Sequence, residues 1–534
     1  MITTRTTTTT RTTASGTETS TTVFRTEASV EPNTLDPVTV NLRNLNWNEV
    51  TDDIESLRKD LNVVGCAVGV VHNGKLIYSA GFGNRNDAGD PVNPDTLFQI
   101  GSTTKAFTAF GIATLVDEKK VDWETPVTTL APVEFQDPFA NAQANLVDLL
   151  SHRTGLPRHD YMMSIWSSIE EVNARIKYLQ PSKQFRQAFQ YNNNMYNLAG
   201  SIAGRLYGST WDDLVKDRIL TPLGMDRTIT NLEQSEYMEN HARGYELRND
   251  GTKVLVGYKE HCCVEASEGD GSMVSSVNDM AKWLSLILNK GKTPDGEELV
   301  SKEQFDMIMT PHSIISGPIS DSPFQLGTYG LGWLLCSYKG KMNVSHSGGM
   351  PGFLTAIDLF PNDNLGIVVF CNSTSVSPTA LSKYLSDLIL FNLKDKERFA
   401  KTKVQNVTRT ETLAKERYER IEKRDKNGAP TLPLGSYQGS FVNEAYGTLL
   451  IDGPDNENRF KFWINGAGER KGDFHGTLKH WENDTFGIFE GSVALEYYKD
   501  DECPMELMVE FNKDATEVRI ALAGDVDTIV FKRV

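Results

Sequence analysis

No apolar run in this chain approaches the roughly 20 residues that a helix needs to cross a bilayer, so no membrane partner is expected. The opening stretch MITTRTTTTTRTTASGTETSTT lacks the apolar block of a secretory signal. It shares arginines, hydroxyls and an early lack of acids with mitochondrial presequences, but has no amphipathic apolar face. It reads as a disordered threonine-rich tail, which leaves the cytosol as the expected compartment. Cysteine is sparse: the six (Cys66, Cys262, Cys263, Cys336, Cys371, Cys503) form no C-x-x-C pair, so neither a disulfide framework nor a zinc site is expected. The cluster His261-Cys262-Cys263 lacks the further spaced ligands that a metal requires. Cations are outnumbered, 54 Lys and Arg against 71 Asp and Glu, and the net charge of −17 argues against nucleic acid as a partner. There is no G-x-S-x-G elbow, no H-E-x-x-H, no phosphate loop and no repeat of fixed period, and no cofactor is expected.

What is present is ordinary globular composition, 39% apolar and 23% charged, over 534 residues, a length that favours two domains with tails. Residues 1–36 form the tail and residues 37–395 a first domain. Residues 396–430 are a charge-dense linker and residues 431–534 a second domain. A helical stripe of Trp47, Val50, Ile54 and Leu57 runs through residues 42–61. GCAVGVVHNGKLIYSAGFG then reads as two strands about Asn73-Gly74, the dipeptide of a type I′ turn. Residues 190–207 pass from a polar asparagine cluster into an apolar helix, and further helices are expected over 277–288 and around 380–394. The segment MNVSHSGGMPGFLTAIDLFPNDNLGIVVFCNS reads as three antiparallel strands with turns at Gly348–Gly352 and Asn362–Asn364. Strands, a helical insert and strands again imply an α/β (α+β) fold, with one antiparallel sheet built from both ends of the domain and flanked by helices. After Leu434 some eight short strands in about a hundred residues predict a small antiparallel β-barrel or sandwich.

The stretch that carries chemistry is FQIGSTTKAFTAFGIATLVDEKK, residues 98–120. A short strand turns at Gly101 into a helix with Ser102 and Lys105 in its first turn, three residues apart and so on one face. The helix is apolar nearly all round, which places it inside a large domain with its N-terminal turn opening into a cleft. A second Ser-x-x-Lys, Ser56–Lys59, lies in the charged helix DDIESLRKDL and reads as solvated surface. Serine becomes a nucleophile only when a base takes its proton. Lys105 is one candidate base and Tyr191, in Tyr191-Asn192-Asn193, is another. A third element is His346-Ser347-Gly348-Gly349, where small residues let a substrate lie against a strand edge.

In this order the motifs resemble the serine β-lactamase and penicillin-binding-protein superfamily, and Tyr-x-Asn resembles its class C branch of related esterases and D-aminopeptidases. The likeness spans residues 40–395 and includes DLLSHRTGLP, TPLGM, GDGSMVSSVNDMAKWL and YGLGW. It implies an acyl-enzyme on Ser102, with Lys105 and Tyr191 sharing general-base work. It also implies an oxyanion hole from the N–H groups of Ser102 and Gly349 beside Gly348, and Asn193 bonding substrate or Lys105. His346 stands where drug-hydrolysing relatives carry lysine; a mostly neutral imidazole favours esters, small amides or thioester-linked acyl groups over β-lactam or cell-wall substrates. The C-terminal stretch LGSYQGSFVNEAYGTLLI resembles a lipocalin-like module, either a wall over the cleft or a stability module. The expected partner is a small-molecule ester or amide substrate, and an oligomer is compatible with the sequence. The alternatives are an acyltransferase of the same fold in a secondary-metabolite pathway and a non-catalytic scaffold. His152 is expected to make structural hydrogen bonds, and Glu265, Glu268 and Asp270 to form a solvated loop edge.

Overall fold

The computed structural model describes residues 37–247, 252–256, 267–315, 324–374, 378–395, 412, 415–416, 418–465, 474–491, 508–521 and 528–534, and the backbone of 4–13 and 16–25. Two units result, Met1–Leu45 and Asn46–Val534. In the first, β1 (Thr4–Thr13) pairs antiparallel with β2 (Gly16–Arg25), and α1 spans Pro37–Asn44. The hairpin differs from the unstructured tail expected there: β-branched threonine suits a strand even in a low-complexity run.

In the second unit α2 (Trp47–Asp60) begins after Asn46, whose side chain accepts from the Asn48 N–H, so the single helix expected from residue 42 starts later. Strands β3 (Gly65–His72) and β4 (Lys75–Gly83) meet at Asn73 and Gly74, with φ of +51° and +71°, as a type I′ turn requires. Helices α3 (Thr104–Asp117), α4 (Asn193–Tyr207) and α5 (Val277–Leu288) follow. The chain then returns to the sheet through β5 (Ser313–Ile314), β6 (Phe324–Tyr329), β7 (Leu334–Tyr338), β8 (Lys341–Met350), β9 (Phe353–Phe360) and β10 (Leu365–Cys371), and α6 covers Thr379–Phe391. The sheet order is β4-β3-β10-β9-β8-β7-β6-β5, antiparallel throughout. Its first two strands thus dock on its last, Cys66 opposite Cys371, as a sheet built from both ends requires. One turn sits elsewhere than expected: Gly348 and Gly349 lie inside β8, opposite Thr355 and Leu354, and the chain reverses at Pro351-Gly352, where Gly352 has φ +77°.

Helices cover both faces. A Cβ on Gly366 would lie against Leu284 of α5, whereas Asp358, directly across from Ile367, binds Ser382 and Lys383 of α6. Neighbouring strand positions point to opposite faces, so α5 and α6 sandwich the sheet. Lys383 and Asp358 form an ion pair at 2.5 Å, 5% and 3% exposed, and Lys383 also donates to Asn343 Oδ1 at 3.0 Å.

From Gly439–Asn443 to Ile529–Arg533 eight antiparallel strands close into a barrel, each pairing with the next and Arg533 opposite Phe441 sealing the ring. Inside, Phe441, Phe460, Phe486 and Phe511 from four different strands meet with centroids 5.3 to 5.8 Å apart, so side chains fill the lumen. Among the described residues no helix is long and apolar enough to cross a membrane, and no three metal-ligating side chains group together. Cys66, Cys336 and Cys371 are free thiols. Cys262, Cys263, Glu265 and Cys503 lie outside the described residues.

Candidate active site

Gly101 enters the turn before α3 with φ +50°, and a Cβ there would sit 2.8 Å from the Gly349 nitrogen, so turn and strand β8 touch backbone to backbone. The residues from Gly101 to Thr103 form a 3₁₀ turn that α3 continues, its residues from Thr104 to Val116 all buried. Ser102 is half-buried at the lip and Lys105, one turn further in, is 0% exposed. Its Nζ meets three oxygens: Ser102 Oγ at 3.1 Å, Asn193 Oδ1 at 2.7 Å and the Asp270 carbonyl at 2.8 Å. Two of these partners only accept. An ammonium satisfies all three by donating, and a neutral amine satisfies the two carbonyls while its lone pair faces the Ser102 hydroxyl. The arrangement fits both states of a proton acceptor.

Helix α4 supplies the second of those contacts and holds the loop that supplies the third. Asn192 caps it, its side chain accepting from the Met195 N–H and donating to the Leu156 and Pro157 carbonyls. Asn193 Nδ2 donates to Asp160 Oδ1 at 3.1 Å, and Asn194 Nδ2 donates to the carbonyls of Arg158 and His159. Three consecutive asparagines thereby pin the segment 156–160 against the cleft. One turn on, Asn197 Oδ1 accepts the N–H groups of Glu268 and Asp270, while Thr108 of α3 donates to the Gly269 carbonyl. These bonds aim the Asp270 carbonyl at Lys105. The solvated edge expected for this loop is corrected: Asp270 is 5% exposed, and burial, with Asp212, Glu170 and Asp270 nearby, pushes the Glu268 carboxyl up to about 7.

Tyr191 presents its ring 4.9 Å from Lys105 Nζ and 5.1 Å from the Arg158 guanidinium. Behind it lies His152, ring centroids 4.3 Å apart, whose Nδ1 accepts the Asn192 N–H at 3.0 Å, the structural bond expected of that histidine. Burial and the nearby Lys105 hold His152 well below the usual imidazole range. Among the described residues no hydrogen bond joins the Tyr191 hydroxyl to Ser102 or Lys105, so the direct contact to the serine is the lysine's.

On β8, His346, Gly348 and Gly349 fall where β7 has ended: β7 reaches only Leu334, opposite Ser345, and frees the strand edge beyond it toward Gly101 and Ser102. A Cβ on Gly348 would lie 2.0 Å from the Ile100 carbonyl and 3.3 Å from the Ser102 nitrogen, so only glycine permits this approach. The His346 ring is 6.3 Å from that of Tyr191, and both its nitrogens are taken, by the Tyr329 hydroxyl at 2.8 Å and the Ser347 carbonyl at 2.7 Å. Ser102, Lys105 and Asn193 are thus bonded together, Tyr191 faces them, and the glycines border them. Asp160, Asn197, Tyr329 and the Asp270 carbonyl complete the site; Asn197 lies in the asparagine cluster, Asp270 in G-D-G-S-M and Tyr329 in Y-G-L-G-W, whereas no motif pointed to Asp160.

An antiparallel sheet sandwiched by helices, with a helical insert and a Ser-x-x-Lys helix reaching its edge, defines the fold class. The chain belongs to the Beta-lactamase family, whose profile matches residues 50–389. Over 418 residues it is 32% identical to the unguisins hydrolase ungD′ of Aspergillus campestris, covering 73% of this chain and 74% of that one. It is 26% identical to the protein flp of Staphylococcus aureus over 65% of this chain and 68% of that one. Among solved structures it is similar to the octameric penicillin-binding protein homologue of Pyrococcus abyssi, with a TM-score of 0.59 and 23% identity over 91% of this chain and 100% of that one. A D-stereospecific amidohydrolase of Streptomyces shares the fold at a TM-score of 0.51 and 18% identity, over 65% of this chain and 100% of that one.

Proposed function

We propose that this chain is a serine hydrolase that cleaves an ester or amide bond of a small molecule through an acyl-enzyme on Ser102. The observation that carries this reading is the Lys105 Nζ–Ser102 Oγ bond at 3.1 Å, on an amine whose other two partners only accept. Ser102 Oγ attacks the carbonyl carbon as its proton passes to Lys105, with Tyr191 sharing the acid–base work. The oxyanion is met by the N–H groups of Ser102 and Gly349, supported by the backbone contact between turn and strand. Collapse expels the alcohol or amine with that proton, and water then releases the acid and restores Ser102.

A neutral His346, its two nitrogens occupied, leaves no fixed cation at that position, which favours substrates without a carboxylate there. Hydrolysis draws support from relatives named unguisins hydrolases, and the amide arm is in keeping with a structural neighbour named a D-stereospecific amidohydrolase. The test is exposure of the purified chain to a fluorophosphonate followed by intact mass and peptide mapping, with p-nitrophenyl esters, D-amino-acid amides and a chromogenic β-lactam assayed in parallel. An adduct on Ser102 with turnover of an ester or amide is expected. Absence of an adduct on Ser102 refutes the reading.

A further inference from the structure

The amide of Asn193 has two orientations of equal shape, and only one presents its oxygen to Lys105. Asp160 decides between them. Its Oδ1 accepts from Asn193 Nδ2 at 3.1 Å, while its Oδ2 accepts from the Arg158 side chain at 2.6 and 2.8 Å. Burial pushes the Asp160 carboxyl up while the Arg158 guanidinium on Oδ2 holds it toward the ionised form, in which Oδ1 only accepts; the amino end of Asn193 then faces Asp160 and its carbonyl faces Lys105. A flipped amide would set N–H groups against the ammonium and a carbonyl against the carboxylate.

Asp160 is in turn clipped to the barrel on both sides. The preceding His159 meets the Tyr446 hydroxyl through Nδ1 at 2.8 Å. Tyr161 packs edge-on against Phe474, centroids 5.3 Å apart, and Trp166 Nε1 donates to the Ala445 carbonyl at 3.0 Å. The barrel loop that makes two of these contacts is itself held: Asn443 Oδ1 accepts the N–H groups of Ala445 and Tyr446, and Asn443 Nδ2 donates to the Val530 carbonyl. A continuous chain of contacts therefore runs from the barrel through His159 and Asp160 to Asn193 and Lys105.

We propose that Asp160 is a positioning residue that fixes the Asn193 amide toward Lys105, and that barrel residue Tyr446 holds the segment bearing Asp160 in place. The barrel then belongs to the machinery that acylates Ser102. This inference rests on the Ser102 reading, so the experiment reads Ser102 directly and needs no known substrate. The rate of Ser102 labelling by a fluorophosphonate is measured from pH 5 to 9 for the full chain, Asp160→Asn, Tyr446→Phe and the double variant. Thermal melting confirms that each is folded.

Asp160→Asn is expected to slow labelling by about 10- to 100-fold, the scale of loss from a misplaced catalytic group. It also moves the acidic limb of the profile to lower pH, because the ammonium loses its aimed acceptor and a nearby negative charge. Tyr446→Phe slows labelling by about 3- to 10-fold, and the double variant is no slower than Asp160→Asn alone, the non-additivity of groups acting through one another. A merely structural role would add the two losses and leave the limb in place, which overturns the inference. Wild-type labelling rate and profile in Asp160→Asn overturn it while the Ser102 reading stands. Failure of the unaltered chain to label Ser102 removes both. Should Asp160→Asn not fold, an unchanged rate in folded Tyr446→Phe overturns the barrel's part by itself.

Discussion

The Tyr329 hydroxyl donates to His346 Nε2 across 2.8 Å, and the direction of that bond follows from the other side of the ring. The Ser347 carbonyl, 2.7 Å from Nδ1, only accepts, so the proton sits on Nδ1 and Nε2 must receive. Only a neutral imidazole can accept the Tyr329 proton; an imidazolium would donate at both nitrogens. Burial, reinforced by Lys105, accordingly lowers His346 to about 4.

That depression makes His346 an acid liability. Its folded value lies below the unfolded one, so the unfolded chain binds the extra proton first, and stability falls as pH drops from about 6.5 towards 4. Between pH 7.5 and 5 the cost from this residue is about 2 kcal/mol. Unfolding free energies from urea titration at the two pH values are expected to converge by about 2 kcal/mol in His346→Gln relative to the unaltered chain. An unchanged pH dependence would contradict the neutral assignment.

Much of this was legible because period and punctuation carry it. Asn73-Gly74 announces its turn, and α3 betrays its depth by having no polar face. Apolar β3 and β10 read as buried strands. The site was legible as motifs, but its supports were not. Asp160 and Asp270 act through a single bond each, one of them from the main chain, and such bonds leave no periodicity. The glycine pair at 348–349 was misplaced into a turn because glycine also serves close approach, here to the Ile100 carbonyl. The contact of Tyr446 with His159 joins positions 287 residues apart, beyond any local pattern.

Glu268 behaves in the opposite sense to His346. Its carboxyl is pushed up to about 7 by burial and by Asp212, Glu170 and Asp270, so the folded chain holds a proton that the unfolded chain has released. Stability from this source is full below about 4.5 and is lost as pH rises through 7. Glu268→Gln, which carries no charge to bury, is expected to raise stability at pH 8 by up to about 3 kcal/mol and to change little at pH 4.5. Melting curves at the two pH values check the sign; destabilisation at pH 8 would contradict it.

Lys383 and Asp358 pair between α6 and the sheet with almost no solvent contact. Removing one member of a buried pair strands the other charge, so Lys383→Met is expected to cost about 3 to 5 kcal/mol. Asn343 Oδ1 loses a donor as well. Restoring neutrality with Lys383→Met/Asp358→Leu should recover most of that loss. Chemical denaturation of the three chains measures it, and equal stability of the single variant would show the pair to be dispensable.

The division of labour between Lys105 and Tyr191 is the sharpest test of the site. Lys105 touches Ser102 directly, whereas Tyr191 faces the ammonium with its ring at 4.9 Å. Ser102→Ala should abolish turnover while leaving the melting temperature nearly unchanged, since a half-buried hydroxyl at the cleft lip contributes little packing. Tyr191→Phe keeps the ring against His152 and removes only the hydroxyl. If that hydroxyl shares the proton, turnover of the best ester or amide falls by about two to four orders of magnitude, the usual worth of acid–base help. If Lys105 acts alone, the rate is unchanged. Single-turnover acylation and deacylation rates locate any loss: a fall confined to deacylation would assign Tyr191 to activating the water, and a fall in both to the shared role proposed above.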